Sequence, residues 1–258
     1  MTAMAPPPDL RAALGLGRSL AIYYGRPWRQ ARLRDFYRQF VRAGDLAFDV
    51  GAHVGSRSRA MRAAGARVVA FEPQAPFTGF LRRTLPRDIT LIEAAAGPAP
   101  AARAELAVSR LHPTVSSLRA DFPDRAGASE GFEQVRWDKR QPVAVTTLDA
   151  AIAAHGCPRL IKIDVEGFEA EVLAGLSQPV PVIAFEYLPA MADAALAALD
   201  RIEALGAYEF NLVRGERLAF HWPEWRGGAA VRDWLDGLTA ADGSGDIYAQ
   251  RIAPGVAT

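Results

Sequence analysis

The stretch Phe48-Asp49-Val50-Gly51-Ala52-His53-Val54-Gly55, followed by Phe71-Glu72-Pro73, constrains this chain more than any other segment. It reads as a strand, a glycine turn, a helix and a second strand ending in an acid. Gly51 and Gly55 allow a sharp turn and a close approach of backbone to a ligand, and the next helix aims free N–H groups at that ligand. Glu72 lies 21 positions after Gly51, where a nucleotide fold places the carboxylate that accepts from ribose hydroxyls. Together these predict an adenosine-containing cofactor. A dinucleotide turn takes G-x-G-x-x-G whereas this one is G-x-x-x-G, so the spacing disfavours NAD.

From Asp45 onward, short β-branched runs alternate with helical segments, which implies βαβ units and a mostly parallel, doubly wound α/β sheet. Strands are expected near 45–50, 67–71, 88–93, 159–164 and 181–185, with helices near 55–64, 76–85, 147–155, 168–176 and 190–205. Residues 207–213 and 246–251 suit an antiparallel pair at one edge. Two segments interrupt the alternation. Residues 97–146 enclose a polar stretch between strands near 103–108 and 142–146. Residues 214–245 carry Trp222, Trp225 and Trp234, readable as a lid or as a helical excursion packed on the core edge. Ahead of the domain (45–258), residues 1–44 form an extension with a frayed start. Its residues 28–42 place Leu33, Phe36, Tyr37, Phe40 and Val41 on one helical stripe, with arginines mostly elsewhere. That amphipathic helix is expected to dock on the domain, a membrane-surface or partner role being the alternative.

The motifs D-V-G-A-H-V-G, F-E-P, S-S-L at 116–118, T-L-D at 147–149 and I-K-I-D-V-E-G-F-E at 161–169 resemble, in the same order, the FkbM-type S-adenosylmethionine-dependent methyltransferases. The resemblance covers about residues 45–186. It implies the seven-stranded class I methyltransferase fold with S-adenosylmethionine as cofactor. It also implies O-methylation of a hydroxyl on a sugar, a glycolipid or polysaccharide precursor, or a polyketide-type acceptor; N-methylation stays open. A non-catalytic cofactor-binding or scaffolding protein of the same fold is the alternative, and an NAD-dependent oxidoreductase is a third reading.

On this reading Gly51, Ala52, His53 and Gly55 cradle the methionine portion of the cofactor, His53 standing where family members commonly carry Asn. Asp49 either meets the cofactor's ammonium or caps the following helix. Glu72 ends a buried strand and would be a desolvated charge unless hydroxyls satisfied it. Ala95 and Ala96 match the family's small-residue turn and leave room for adenine. Asp164 is the first candidate for general base and Glu186 the second; alternation places Lys162 beside Asp164, so a structural ion pair is the competing role. His112, Ser116 and Ser117 match the family's serine-containing segment and are candidate substrate contacts, with a loop-internal network as the alternative. Asp164, Glu166 and Glu186 offer oxygen ligands to Mg²⁺, but no metal is expected to be required.

A net charge of +1 provides no global field that would recruit nucleic acid or a membrane surface. No apolar run is long enough to span a bilayer, and the start, with Pro6-Pro7-Pro8, lacks the pattern of a secretory signal. Cytoplasmic residence and a small-molecule or glycan acceptor are the expectations. The lone Cys157 is expected to be buried.

Overall fold

The computed structural model describes residues 9–26, 28–127, 134–239 and 242–252. The Pro6-Pro7-Pro8 stretch lies outside them, as do parts of both expected insertions. A seven-stranded sheet is built from β1 (Leu46–Val50), β2 (Arg67–Phe71), β3 (Ile89–Ile92), β7 (Leu160–Ile163), β8 (Val182–Tyr187), β9 (Tyr208–Arg214) and β10 (Gly245–Arg251). Its order is β3-β2-β1-β7-β8-β10-β9. Every pair from β3 to β8 is parallel, while β10 runs antiparallel to both neighbours. This is the class I methyltransferase sheet that the motifs implied.

Both faces are covered, so the central strands are apolar throughout instead of alternating. One face presents Ala47, Val68, Leu160 and Ala184 to α2 (Trp28–Tyr37), α3 (Ser56–Ala63) and α4 (Phe77–Thr84). The other presents Phe48, Phe71, Ile163 and Phe185 to α6 (Leu148–His155), α7 (Glu169–Ala174), α8 (Ala192–Leu205) and α9 (Gly228–Asp236). The strand order reverses between β1 and β7, and ligands gather outside the carboxyl ends of strands at such a point.

The insertion supplies β5 (Ala101–Val108) and β6 (Lys139–Thr146), an antiparallel pair. With β4 (Ala95–Ala96) they form a second sheet in the order β4-β6-β5. A six-residue helix, α5 (Phe122–Gly127), lies in the connection between β5 and β6.

Two local expectations need correction. The extension is not simply frayed, because residues Leu10–Tyr24 form a helix, α1, capped by the Asp9 side chain. The most buried positions of its inner face are Gly15 and Ser19, which carry little hydrophobic signal, and Leu16, Leu20 and Tyr23 are only half-buried beside them. Cys157 is exposed: Gly156 and Pro158 hold it in a connection outside the sheet. The stripe on residues 28–42 is buried as expected, with Leu33, Phe36, Tyr37, Phe40 and Val41 all within the core, although the helix itself stops at Tyr37. Leu33→Ala should therefore cost about 2–3 kcal/mol of unfolding free energy in urea titration; a change below about 0.5 kcal/mol, the range of surface substitutions, would show that the stripe does not stabilise the domain.

Candidate active site

The turn after β1 is held by its neighbours. Gly51 has φ +86°, and a Cβ on it would fall 1.9 Å from the backbone oxygen of Asp164. Glycine is required there twice over, by conformation and by contact, and the contact locks the β1 turn against the β7 turn. The N–H groups of Gly51 and Ala52 donate to the Phe71 carbonyl at 3.0 and 2.9 Å. His53 follows at φ +52°, and its N–H donates to Glu72 Oε2 at 2.6 Å, while Gln74 N–H donates to Glu72 Oε1 at 2.8 Å.

Glu72 is thus satisfied differently from the sequence-based expectation. Its carboxylate, 5% exposed, already accepts from two backbone amides, and each oxygen keeps a further lone pair for a ligand hydroxyl. Burial pushes its carboxyl up to about 7, against the two amides that favour the ionised form. Beside it the buried Nε2 of Gln74 has no partner within the protein, a donor available to a ligand.

These groups line a cavity of about 880 Å³ including its open mouth. Gly51, Ala52, His53 and Glu72 form one wall, and Ala95 and Ala96 form part of another together with Phe168. Ser116 and Asp164 also line it. Asp49, Gly55, His112, Ser117 and Glu186 do not. Asp49 is fully buried beneath the turn, where it accepts from the Ser58 hydroxyl and leaves Oδ1 unpartnered; it does not cap α3 with its side chain. Gly55, at φ +75°, is the residue preceding α3 and packs against Leu81 and Leu85. Ser117 accepts from Arg119 N–H, and Ser116 donates to the Pro113 carbonyl, so the loop-internal network exists alongside one pocket-facing serine.

Around Asp164 the carboxyl ends of β7 and β8 gather charge. One oxygen each of Asp164, Glu166 and Glu186 lies within 4.8 Å of the other two. Lys162, wholly buried, sits 2.9 Å from Asp246 Oδ1 and 3.7 Å from Asp164 Oδ2. Arg57 of α3 approaches Asp164 at 3.6 Å and Asp246 at 3.7 Å. Burial works to raise the Asp164 carboxyl, but Lys162 and then Arg57 outweigh it and hold it below the ordinary carboxylate range. Glu166 and Glu186 move the other way: burial first, then the Asp164 charge, pushes both well above theirs. The cluster therefore favours the ionised form of Asp164 and the protonated forms of its two neighbours, and the three groups titrate together.

The turn that carries Glu166 is itself pinned. Glu166 and Gly167 are both at positive φ, +56° and +84°, and Glu169 Oε1 accepts from Val165 and Gly167 N–H, each at 3.2 Å. Burial pushes the Glu169 carboxyl up to about 7 from an ordinary 4.5. The folded state binds that proton more tightly than the unfolded chain, so the stability it contributes is present below about pH 4.5 and is lost as pH rises to about 7. Glu169→Gln keeps an acceptor for both amides and removes the titration. Relative to wild type the variant should gain about 2–3 kcal/mol between pH 4.5 and 7.5 in urea titrations, and parallel pH profiles would refute the shift.

Sequence reading missed several residues here. Tyr23 of α1 lines the cavity and meets the His53 ring edge-on at 5.1 Å, and Ser19 Oγ lies 3.0 Å from His53 Nε2. With burial pulling the imidazole down to about 4, His53 is neutral and unsuited to act as a base at neutral pH. Arg57 and Asp246 were also missed. The signal available for Asp246 was an acid in an otherwise apolar strand, but its partner follows only from the register, which sets it opposite Glu186. Conversely, none of the described residues of 214–245 lines the cavity. Trp222 is buried in the core and Trp234 packs edge-on against Tyr187, so that segment is the packed excursion and not a lid.

The geometry defines a class I methyltransferase site, and comparison with known proteins identifies its family. The Methyltransferase FkbM domain matches residues 49–239. The chain belongs to the FkbM methyltransferase family, and its cofactor is S-adenosylmethionine. No curated protein matches the chain significantly. Among solved structures, an O-methyltransferase from Bacillus cereus in complex with SAH is similar at 12% identity and TM-score 0.46, over 97% of this chain and 94% of that one. A precorrin-6y C5,15-methyltransferase from Geobacter metallireducens GS-15 is similar at 15% identity and TM-score 0.41, over 98% and 93%. An rRNA methylase from Streptococcus thermophilus is similar at 12% identity and TM-score 0.40, over 85% and 94%.

Proposed function

We propose that this protein is an O-methyltransferase that moves the methyl group of S-adenosylmethionine to a hydroxyl of a small polyhydroxylated or glycan acceptor. The observation that carries the reading is the Asp164 carboxylate in the cavity wall, 3.6–3.7 Å from two cationic side chains and with one oxygen within 4.8 Å of the Glu166 and Glu186 carboxyls.

Bound S-adenosylmethionine supplies an electrophilic methyl carbon on a sulfonium. The chain's own residues fit that group. Glu72 has lone pairs left for ribose hydroxyls, the unpartnered Gln74 amide offers a donor, and Ala95 and Ala96 leave a flat space beside Phe168. The glycine turn with Ala52 and His53 bounds the methionine end. Asp49 lies one layer below, aligning α3 through Ser58, so its part is positioning.

At the acceptor end, Asp164 orients the hydroxyl and takes its proton as the carbon–oxygen bond forms. Lys162, Arg57 and the proton it shares with Glu186 lower its basicity, so Asp164 takes the acceptor's proton late, as the carbon–oxygen bond is completed. Lys162 and Arg57 hold the carboxylate in place. Alignment of acceptor oxygen, methyl carbon and sulfur supplies the larger part, worth about 7–11 kcal/mol where geometry is well preset. Ser116, which lines the same cavity, is the candidate hydroxyl for acceptor contact.

The test is turnover with S-adenosylmethionine against sugar nucleotides, glycolipids and polyketide alcohols, following demethylated cofactor and the added methyl by mass spectrometry. An ether-linked methyl is expected. An N-methylated product, or no turnover with any hydroxyl acceptor, would overturn the reading. Loss of turnover on chelation, restored by Mg²⁺, would replace the shared proton by a cation.

A further inference from the structure

α1 is docked with its faces reversed from the usual arrangement. Its buried positions are Gly15 and Ser19, with Tyr23 half-buried beside them. Gly15 fits where a Cβ would meet the Arg110 carbonyl at 2.1 Å. Ser19 lies against His53, and the Tyr24 hydroxyl donates to the Val54 carbonyl at 2.9 Å. Leu16 and Leu20 are half-buried beside Gly15 and Ser19, while the face turned away carries further apolar side chains in the open. Leu10 is 72% exposed, Leu14 58% and Ile22 45%, and Trp28 at the start of α2 is 63% exposed. Leu111, beside the Arg110 on which Gly15 rests, is 42% exposed. Among the described residues these are five of the six large hydrophobic side chains that are exposed. They are gathered around one helix, whereas scattered single exposures would need no explanation.

Basic charge predominates on that side, where the acids Asp9 and Asp138 are paired with Arg110 and Arg11. From Leu10 to Arg34 the chain has arginine at 11, 18, 26, 29, 32 and 34 and no Asp or Glu. Arg29 is committed to Glu216 and Arg11 to Asp138, but Arg18 and Arg26 are exposed with no acidic partner among the described residues. A second copy of the chain docked through this face would oppose arginines to arginines about a two-fold axis. An anionic surface has no such conflict. Exposed Leu10, Leu14 and Ile22 on one face of α1 with Arg18 among them, followed by Arg26 and by Trp28 at the start of α2, are the composition of an interfacial, non-spanning segment, and no helix among the described residues is long and apolar enough to cross a membrane.

We infer that α1 binds the surface of an anionic lipid bilayer, its Leu10–Leu14–Ile22 face and Trp28 entering the headgroup boundary and Arg18 and Arg26 pairing with lipid phosphates. The inner face of the same helix closes on His53, so membrane attachment brings the cofactor cavity to the bilayer surface. Phosphodiester headgroups attract each nearby arginine independently of the methyl-transfer reading.

The experiment is sedimentation of the full chain with phosphatidylcholine vesicles and with phosphatidylcholine vesicles containing phosphatidylglycerol, at low and high salt. Binding to the anionic vesicles alone, weakened by salt, is expected. Leu10→Glu/Leu14→Glu/Ile22→Glu and Arg18→Glu/Arg26→Glu should each weaken it by at least about tenfold. Both variants should retain the wild-type melting temperature and S-adenosylhomocysteine binding, because the altered side chains are exposed and outside the cavity. Failure to bind anionic vesicles, equal binding by the variants, or a concentration-dependent dimer abolished by the triple variant would overturn the inference; the last would assign the face to a second copy. Loss of cofactor binding in wild type would instead count against the proposed function.

Discussion

Glu72→Ala is expected to lower affinity for S-adenosylhomocysteine by at least about a hundredfold in titration calorimetry, since charge-assisted hydrogen bonds to two ribose hydroxyls contribute about 1.5–3 kcal/mol each. A second effect adds to it. The backbone amides of His53 and Gln74 lose their acceptor, and a buried N–H left unpaired costs about 1–3 kcal/mol. The melting temperature should therefore fall even without ligand, and the two effects separate by measuring the rise that S-adenosylhomocysteine produces. Wild type should show a rise that the variant lacks. Glu72→Gln sharpens the point, because one oxygen of the pair becomes an NH₂ that faces either the His53 or the Gln74 donor. Its affinity should lie between the other two. A variant that keeps the full ligand-induced rise would remove Glu72 from the cofactor site and leave it as the organiser of the turn.

Asp164→Asn should lower kcat by about a hundredfold to ten-thousandfold, the range typical of a positioned general base, with cofactor affinity near that of wild type. The fold should survive the change because the cations keep a partner: Lys162 remains 2.9 Å from Asp246 and Arg57 remains 3.7 Å from it. That distinguishes this site from a simple buried pair, where losing one partner leaves a costly lone charge. The variant also removes the charge that pushes the Glu186 and Glu166 carboxyls upward, so any residual activity should shift its pH dependence toward acid as Glu186 ionises more readily. A kcat within about fivefold of wild type would return Asp164 to the structural role of Lys162's neighbour, because even modest general-base catalysis exceeds that factor.

Local patterns carried most of the architecture. The five parallel strands of the main sheet were legible because a strand buried on both faces is a nearly continuous apolar run, as in Arg67–Phe71 or Val182–Tyr187. The turn at Gly51 was legible because its spacing follows from backbone conformation. What depended on register or on long-range packing was not legible. Asp246 reaches Lys162 only because β10 inserts between β8 and β9. Ala95 and Ala96 read as a turn but form a short strand because β6, about fifty residues later, pairs with them. Tyr23 and α1 escaped notice for the same reason, since a helix whose most buried positions are Gly15 and Ser19 carries little hydrophobic signal on its inner face. The site's electrostatics were equally hidden. Sequence alternation set Lys162 beside Asp164, but the depth of burial that raises Glu166 and Glu186, and the arrival of Arg57 from α3 beside Asp164, follow only from packing.

The most direct test of the account is the melting temperature of the purified chain with S-adenosylhomocysteine and, separately, with NADH, since a ligand that binds only the folded state raises it in proportion to the logarithm of its saturation. The account predicts a rise with S-adenosylhomocysteine and none with NADH. A rise with NADH alone, or with neither, would contradict it.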